Sequence, residues 1–302
     1  MRRLLSLISV LAVLASCQYK ELCYDHPHAG KVKVRFDWSE APDAEPGWME
    51  LKFYPADGTQ AIERVTAEKG EAVMDLPVGE YLCVCYNGGT ESVFTSVKST
   101  YLTTSHTAFT PLYKGFALHS SSTMNPPDPA DQPFIVEPAP LWYGNAGTVR
   151  IEAQRENVIV FKPVPVTIKV SVIIRNVTGM EYHKGLKSCF SGITDGFIPE
   201  TGLYSDDCGI ILTELEQNGE DCLTCTFNCF GHNAADKLSI PHIFSVVAPL
   251  DASYAYRKSW DASSLMHGSS QDDRHIVIEL DGLDIPTPEL GSGLFNPTVS
   301  EW

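Results

Sequence analysis

Val164-Pro-Val-Thr-Ile-Lys-Val-Ser-Val-Ile-Ile-Arg-Asn-Val177 carries the strongest β signal in the chain. Val166, Ile168, Val170, Val172 and Ile174 fall on one face of an extended segment, and Thr167, Lys169, Ser171, Ile173 and Arg175 on the other. A period of two is the pattern of a half-buried strand. The same alternation recurs upstream in Lys31-Val-Lys-Val-Arg-Phe-Asp-Trp38, where Val32, Val34, Phe36 and Trp38 share a face.

Between and beyond these two runs the chain reads as short strands separated by turn residues. Strands are expected at Trp48–Tyr54, Ala61–Ala67, Glu71–Leu76, Glu80–Asn87, Ser92–Val97, Tyr101–Phe109 and Leu112–Ala117. The second half adds Thr148–Gln154, Val158–Lys162, Gly209–Leu215, Cys222–Phe230, Leu238–Val247, Ala252–Lys258, His275–Leu280 and an edge strand in Leu294–Trp302. Turn signals such as Asp57-Gly58 and Asn87-Gly88-Gly89 interrupt them, and only Leu186–Ser191 reads as a short helix. This is an all-β pattern, expected to form two tandem antiparallel β-sandwich domains. Residues 125–140 hold six prolines, a density that excludes helix interiors and central strands, so they read as the connection. The organisation expected is therefore a sandwich over 31–124, a connection over 125–140 and a second sandwich over 141–302.

The N-terminus carries an address. Arg2 and Arg3 precede an apolar run from Leu4 to Ala15, the anatomy of a secretory signal. The run is shorter than the roughly 20 residues a membrane-spanning helix needs. It ends in Leu14-Ala15-Ser16-Cys17, which resembles the lipobox of bacterial lipoproteins, whose cysteine is acylated and becomes the first residue of the mature chain. Residues 1–16 then form a signal peptide, Cys17 carries lipid and 17–30 form a polar tether. A twin-arginine signal is not supported, because nothing of that motif follows Arg2-Arg3.

The full chain carries a formal net charge of −16, and removal of residues 1–16 takes away two arginines and no acids. An acidic surface repels nucleic-acid backbones, so no nucleic-acid partner is expected. Eight cysteines besides Cys17 leave disulfides open without requiring them. Cys222-Leu-Thr-Cys225-Thr-Phe-Asn-Cys229 has the spacing of half a metal site. Yet Leu223, Cys225, Phe227 and Cys229 alternate onto one face, which buried strand packing explains without metal. Cys83 and Cys85 read as core residues of one strand. Asp25-His26-Pro27-His28 lacks further carboxylates at ligand spacing and reads as a solvated loop. The acid pairs Asp206-Asp207, Glu220-Asp221 and Asp272-Asp273 sit among turn residues, and no nucleophile elbow, metalloprotease helix or phosphate loop occurs. No cofactor, metal or enzymatic activity is expected.

Several segments carry a family resemblance. Glu21-Leu-Cys-Tyr-Asp-His-Pro27, Val34-Arg-Phe-Asp-Trp38, Ala41-Pro-Asp-Ala44, Phe53-Tyr-Pro55, Leu76-Pro-Val-Gly-Glu-Tyr81 and Tyr86-Asn87 come first. Cys189-Phe-Ser-Gly192, Thr226-Phe-Asn-Cys-Phe-Gly231 and Val299-Ser-Glu-Trp302 follow in order. Together they resemble the Bacteroidales fimbrillin-like lipoproteins, a group similar to fimbrial anchor and tip subunits. The resemblance implies transthyretin-like sandwiches, a surface-exposed place at the outer membrane, and fimbrial subunits joined by strand exchange. Cys17 is the one functional residue it carries over. The function expected is a fimbrial-type anchor or accessory subunit in pilus assembly or adhesion. The alternative is a stand-alone glycan- or ligand-binding lipoprotein, with Trp48, Trp142, Tyr143 and Trp260 as candidate stacking platforms.

Overall fold

The computed structural model describes residues 28–66, 69–90, 92–95, 102–104, 106–107, 132–231, 240–249, 255–269 and 274–286. The expectations at Leu112–Ala117 and Leu294–Trp302 lie outside these residues, as do Cys17, Cys23 and the Asp25-His26-Pro27 part of the histidine segment. Regular structure among the described residues is strand, apart from the short helical turns Trp38–Glu40, Met180–Gly185 and Ser263–Gly268. The helix expected at Leu186–Ser191 is instead the start of the strand Lys187–Thr194, with the helical turn just before it.

In the first sandwich, Ala29–Phe36 lies between Glu71–Pro77, which is antiparallel to it, and Asn157–Phe161, which is parallel. The facing sheet has the order Val164–Pro165, Trp142–Ile151, Gly79–Gly88, Trp48–Pro55, Ile62–Thr66. Val32 and Val34 meet Met49, Leu51, Phe53 and Phe161 between the two sheets, all buried. The alternation in Lys31–Trp38 thus points where the sequence indicated.

The second sandwich is built around Ile168–Thr178. That strand is antiparallel to Leu223–Cys229 and parallel to His275–Asp284, with Glu216–Gln217 beyond Leu223–Cys229. The facing sheet runs Ala255–Asp261, Ile243–Pro249, Lys187–Thr194, Cys208–Thr213, Phe134–Ile135, His106–Thr107. Ile168, Val170, Val172, Ile174 and Val177 face the core. Each buried branched side chain contributes about 1.5–3 kcal/mol, an upper range because the unfolded chain already buries some surface. The inward positions step from Ile174 to Val177 because Asn176 has φ 55°. Gly282, opposite it in the register, has φ 72° and steps its strand from Leu280 to Leu283 in the same way.

Three features depart from the tandem antiparallel expectation. First, both sandwiches contain a parallel pair, and Cys208–Thr213 with Phe134–Ile135 makes a third. Parallel neighbours need long crossovers, so alternation along a strand gives no hint of them. Second, Trp142–Ile151 and Asn157–Phe161, expected in the 141–302 sandwich, complete the first one. The strands Leu102–Thr104 and Phe134–Ile135 pair with strands of the second half, and His106–Thr107 joins the same sheet at the outer side of Phe134–Ile135. The Pro-rich stretch also holds a strand: Phe134–Ile135 fits between Pro133 and Pro138, so no proline occupies a ladder position. Third, the Val164–Val177 run is divided: Val164–Pro165 pairs with Trp142–Tyr143 in the first sandwich, and Ile168–Thr178 centres the second.

Candidate functional site

The chain enters the first sandwich at one end of its five-stranded sheet and leaves it at the other. His28 is the first described residue, and its carbonyl accepts from the Val78 amide at 2.9 Å. Val78 lies with Pro55, Pro77 and Tyr81 at one end of the five-stranded sheet, around an open cleft of about 510 Å³. In that sheet Pro55 is opposite Tyr81 and Trp48 is opposite Gly88, so Trp48 marks the other end. The chain crosses to the second sandwich at this far end, through Leu141 and Val166, and the interface runs back along the outer face to Leu82 and Tyr54. At about 3.3 Å per residue, the strand Trp48–Pro55 separates the two ends by roughly 25 Å.

The junction is a packed interface. Val84, Tyr86 and Tyr143 on the outer face of the first sandwich meet Val166, Phe197 and Phe230, all buried. The Tyr143 hydroxyl donates to the Pro199 carbonyl at 2.7 Å, and the Tyr204 hydroxyl to that of Val166 at 2.8 Å. The Tyr143 ring meets Phe197 edge-on at 4.9 Å. Burial pushes the Tyr143 and Tyr204 hydroxyls up to about 12. Tyr143, expected as a stacking platform, is therefore an interface residue, because its hydroxyl finds a buried carbonyl there.

The three candidate tryptophans are not brought together. Trp260 lies on the second sandwich, packed against Phe244 at 6.2 Å, with its indole N–H donating to the Asp281 carbonyl at 3.2 Å. It is tied into the core edge and offers no common surface with the other two. Trp48 is 39% exposed, and its indole lies against Gly88 and Gly89. A Cβ on Gly88 would come within 2.2 Å of that ring, and one on Gly89 within 2.4 Å. Trp142, half-buried, lines a cleft of about 480 Å³ with Glu45, Gly47 and residues Asn87–Thr90. The Gly88–Gly89 backbone thus separates Trp48 from the cleft that Trp142 lines.

Among the described residues Cys83, Cys85, Cys222, Cys225 and Cys229 are free thiols. Cys83 and Cys85 sit in the first core, as expected, and Cys225 and Cys229 in the second, on the face their alternation predicted. Burial pushes Cys83 and Cys229 up to about 12, Cys225 up to about 11, and Cys85 upward as well. Such thiols stay protonated at neutral pH and are poor nucleophiles and poor metal ligands. Among the described residues no group of three or more His, Cys, Asp or Glu could hold a metal ion.

The sheet edges offer another kind of surface. Among the described residues, nothing pairs with the outer side of Glu71–Pro77, Ile62–Thr66 or His275–Asp284. Ile62, Ala72 and Met74 are half-buried core residues along the seam where the two sheets of the first sandwich part. Such edges are templates for a further strand. Glu71 is charged on its edge, and the Lys33 ammonium and Arg35 guanidinium that bond it hold its carboxyl below the usual range.

A family profile described as a domain of unknown function (DUF5119) matches residues 16–214, well over half of the chain. The chain belongs to this family. The DUF5119 match starts at Ser16 and ends just past the strand Cys208–Thr213, so it runs through the first sandwich into the second. A Bacteroides ovatus protein named "Putative fimbrium anchoring subunit Fim4B" is 25% identical over 228 residues, which is 75% of this chain and 64% of that protein. The chain thus spans less than two thirds of that relative's length. Among solved structures, a putative adhesin from Bacteroides ovatus has a TM-score of 0.66 at 16% identity, covering 90% of this chain and 98% of that one. The fimbrial anchor protein Mfa2 from Porphyromonas gingivalis has a TM-score of 0.53 at 11% identity, covering 83% and 90%. At these identities the structural likeness shows the fold.

The residues that join the sandwiches escaped the sequence reading. Leu141, Thr167, Phe197 and Tyr204 come from four separate stretches, and no local pattern connects them. The one available signal was the excess of large apolar residues on the nominally outer face of Tyr81–Tyr86, where Leu82, Val84 and Tyr86 point away from the first core.

Proposed function

We propose that the chain is a fimbrial-type anchor or accessory subunit, held at the outer membrane by lipid on Cys17 and presenting its second sandwich to neighbouring subunits. In this reading residues 1–16 are removed as a signal peptide and 17–30 form the tether. The observation that carries it is the relationship to the Bacteroides ovatus anchoring subunit across 75% of this chain. The DUF5119 match begins one residue before Cys17, so the cysteine lies within the family pattern. The chain path is compatible with it: the chain enters beside Val78 and crosses to the second sandwich at the opposite end of the same sheet. A lipid on Cys17 would lie eleven residues before His28, the point where the chain enters the first sandwich.

Partner subunits join through sheet edges, by accepting or donating a strand. The half-buried seam of Ile62, Ala72 and Met74 is one place for such a strand in the first sandwich, and the outer side of His275–Asp284 is one in the second. The experiment is fractionation of cells producing the native chain and Cys17→Ala. The native chain is expected in the outer-membrane fraction and Cys17→Ala in the soluble fraction, with the cell-surface signal lost. Retention of Cys17→Ala on the membrane overturns the lipid anchor.

A further inference from the structure

We propose that the cleft lined by Trp142 is a binding site for an uncharged saccharide, a role independent of anchoring. The cleft holds about 480 Å³ between Glu45–Gly47, Asn87–Gly89 and Trp142, within the range of small-ligand sites. Its walls are fixed from both sides. The Asn87 side chain donates to the Pro140 carbonyl at 3.1 Å and accepts from the Trp142 amide at 2.6 Å, so one residue pins the strand end that bears the indole. The opposite wall is the Gly88–Gly89 backbone, held on its far side by the Trp48 indole. A Cβ on Gly88 or Gly89 would strike the Trp48 indole at 2.2 or 2.4 Å, and Gly89 adopts φ +76°. Neither glycine carries a side chain, so a ligand can approach the backbone of this wall closely.

The groups left to a ligand are of matching chemistry. The Trp142 indole N–H and the Glu45 carboxylate have no partner among the described residues. An aromatic ring takes the C–H face of a pyranose, while a carboxylate and an indole N–H take its hydroxyls. The Ser92 hydroxyl, which accepts from the Ala139 amide at 2.7 Å, keeps a proton to donate. With a net charge of −16 on the chain and Glu45 in the cleft, anionic sugars are disfavoured. Trp260, outside the cleft, takes no part.

The test is a panel of neutral oligosaccharides, read by ligand-observed NMR and then by titration against the native chain, Trp142→Ala and Glu45→Ala. Glu45 is exposed, so its variant keeps the fold, and melting curves verify this for both. At least one neutral saccharide should bind, with affinity reduced tenfold or more in each variant and unchanged in Trp260→Phe. No binding across the panel overturns the site, as does binding that survives both variants. Preference for sulfated or quaternary-ammonium probes over neutral sugars overturns the ligand class. Loss of sugar binding with normal Cys17-dependent fractionation separates this site from the anchoring role.

Discussion

Leu141 and Thr167 are bonded across the junction of the two sandwiches: the Leu141 amide donates to the Thr167 hydroxyl at 3.1 Å. The next residue back repeats the tie, with the Val166 amide donating to the Leu141 carbonyl at 2.8 Å. Both polar groups of Leu141 are thus satisfied by the step at which the Val164–Val177 run leaves one sandwich for the other. Leu141 and Thr167 are buried, so water does not replace a lost partner. Thr167→Val keeps the shape and removes the acceptor. It should cost about 1–3 kcal/mol, the penalty for a buried unsatisfied amide. Urea unfolding of the two proteins measures this directly, and an unchanged midpoint would show that the junction does not depend on this bond.

The interlocked strands predict how the chain unfolds. A fragment ending at residue 140 lacks Trp142–Ile151 and Asn157–Phe161, which pair with Gly79–Gly88 and Ala29–Phe36. It should remain unfolded by circular dichroism and amide exchange. The full chain should unfold in one transition, with Trp48 and Trp142 reporting on the first sandwich and Trp260 on the second. Two separated transitions would mean that the sandwiches are energetically independent.

Phe197 packs between Tyr143 and Tyr204, at centroid distances of 4.9 and 5.5 Å. Phe197→Ala should destabilise by about 3–5 kcal/mol, the usual cost of emptying a buried aromatic site. Tyr143→Phe removes only the bond to the Pro199 carbonyl and should cost about 1 kcal/mol. Chemical denaturation of both variants gives the ratio, and equal effects would place the energy in the hydrogen bond and not in the packing.

The buried thiols set an alkaline limit. A thiol in the unfolded chain titrates near about 8.5. Burial raises Cys83 and Cys229 to about 12 and Cys225 to about 11. Raised values mean that their contribution is fully present below about pH 8.5 and is lost progressively as pH climbs from there to the folded values. Urea midpoints should therefore fall between pH 9 and 10.5, and Cys83→Ala should fall less steeply, by up to about 1.4 kcal/mol per pH unit. In the native state at pH 8, the buried thiols should react with a thiol reagent only as fast as the chain opens.

Much of the fold was legible because alternation is a local property. Lys31–Trp38, Cys222–Phe230 and Ile168–Ile174 each declare their inward face in their own residues, and the structure buries those faces. What stayed hidden is relational. The strand Thr148–Gln154 was visible as a strand, but nothing in it says that its neighbour is Gly79–Gly88 and not a second-half strand. The proline density at 125–140 marked a crossing, yet the junction itself lies at Leu141 and Val166–Thr167, inside a run that reads as one continuous strand. Of the candidate site residues, Trp48 lies against a glycine pair and stays exposed and Trp142 lines a cleft, whereas Trp260 and Tyr143 are consumed by partners distant in sequence.

The most direct test of the anchoring role is crosslinking on intact cells that assemble fimbriae, followed by capture of the native chain and identification of what is joined to it. A fimbrial subunit should be recovered with the native chain, and its yield should fall when Met74→Lys charges the half-buried seam of the first sandwich or Val277→Pro blocks the strand at the edge of the second. Recovery of no fimbrial subunit, together with fimbriae that stay attached to cells lacking the chain, would contradict it.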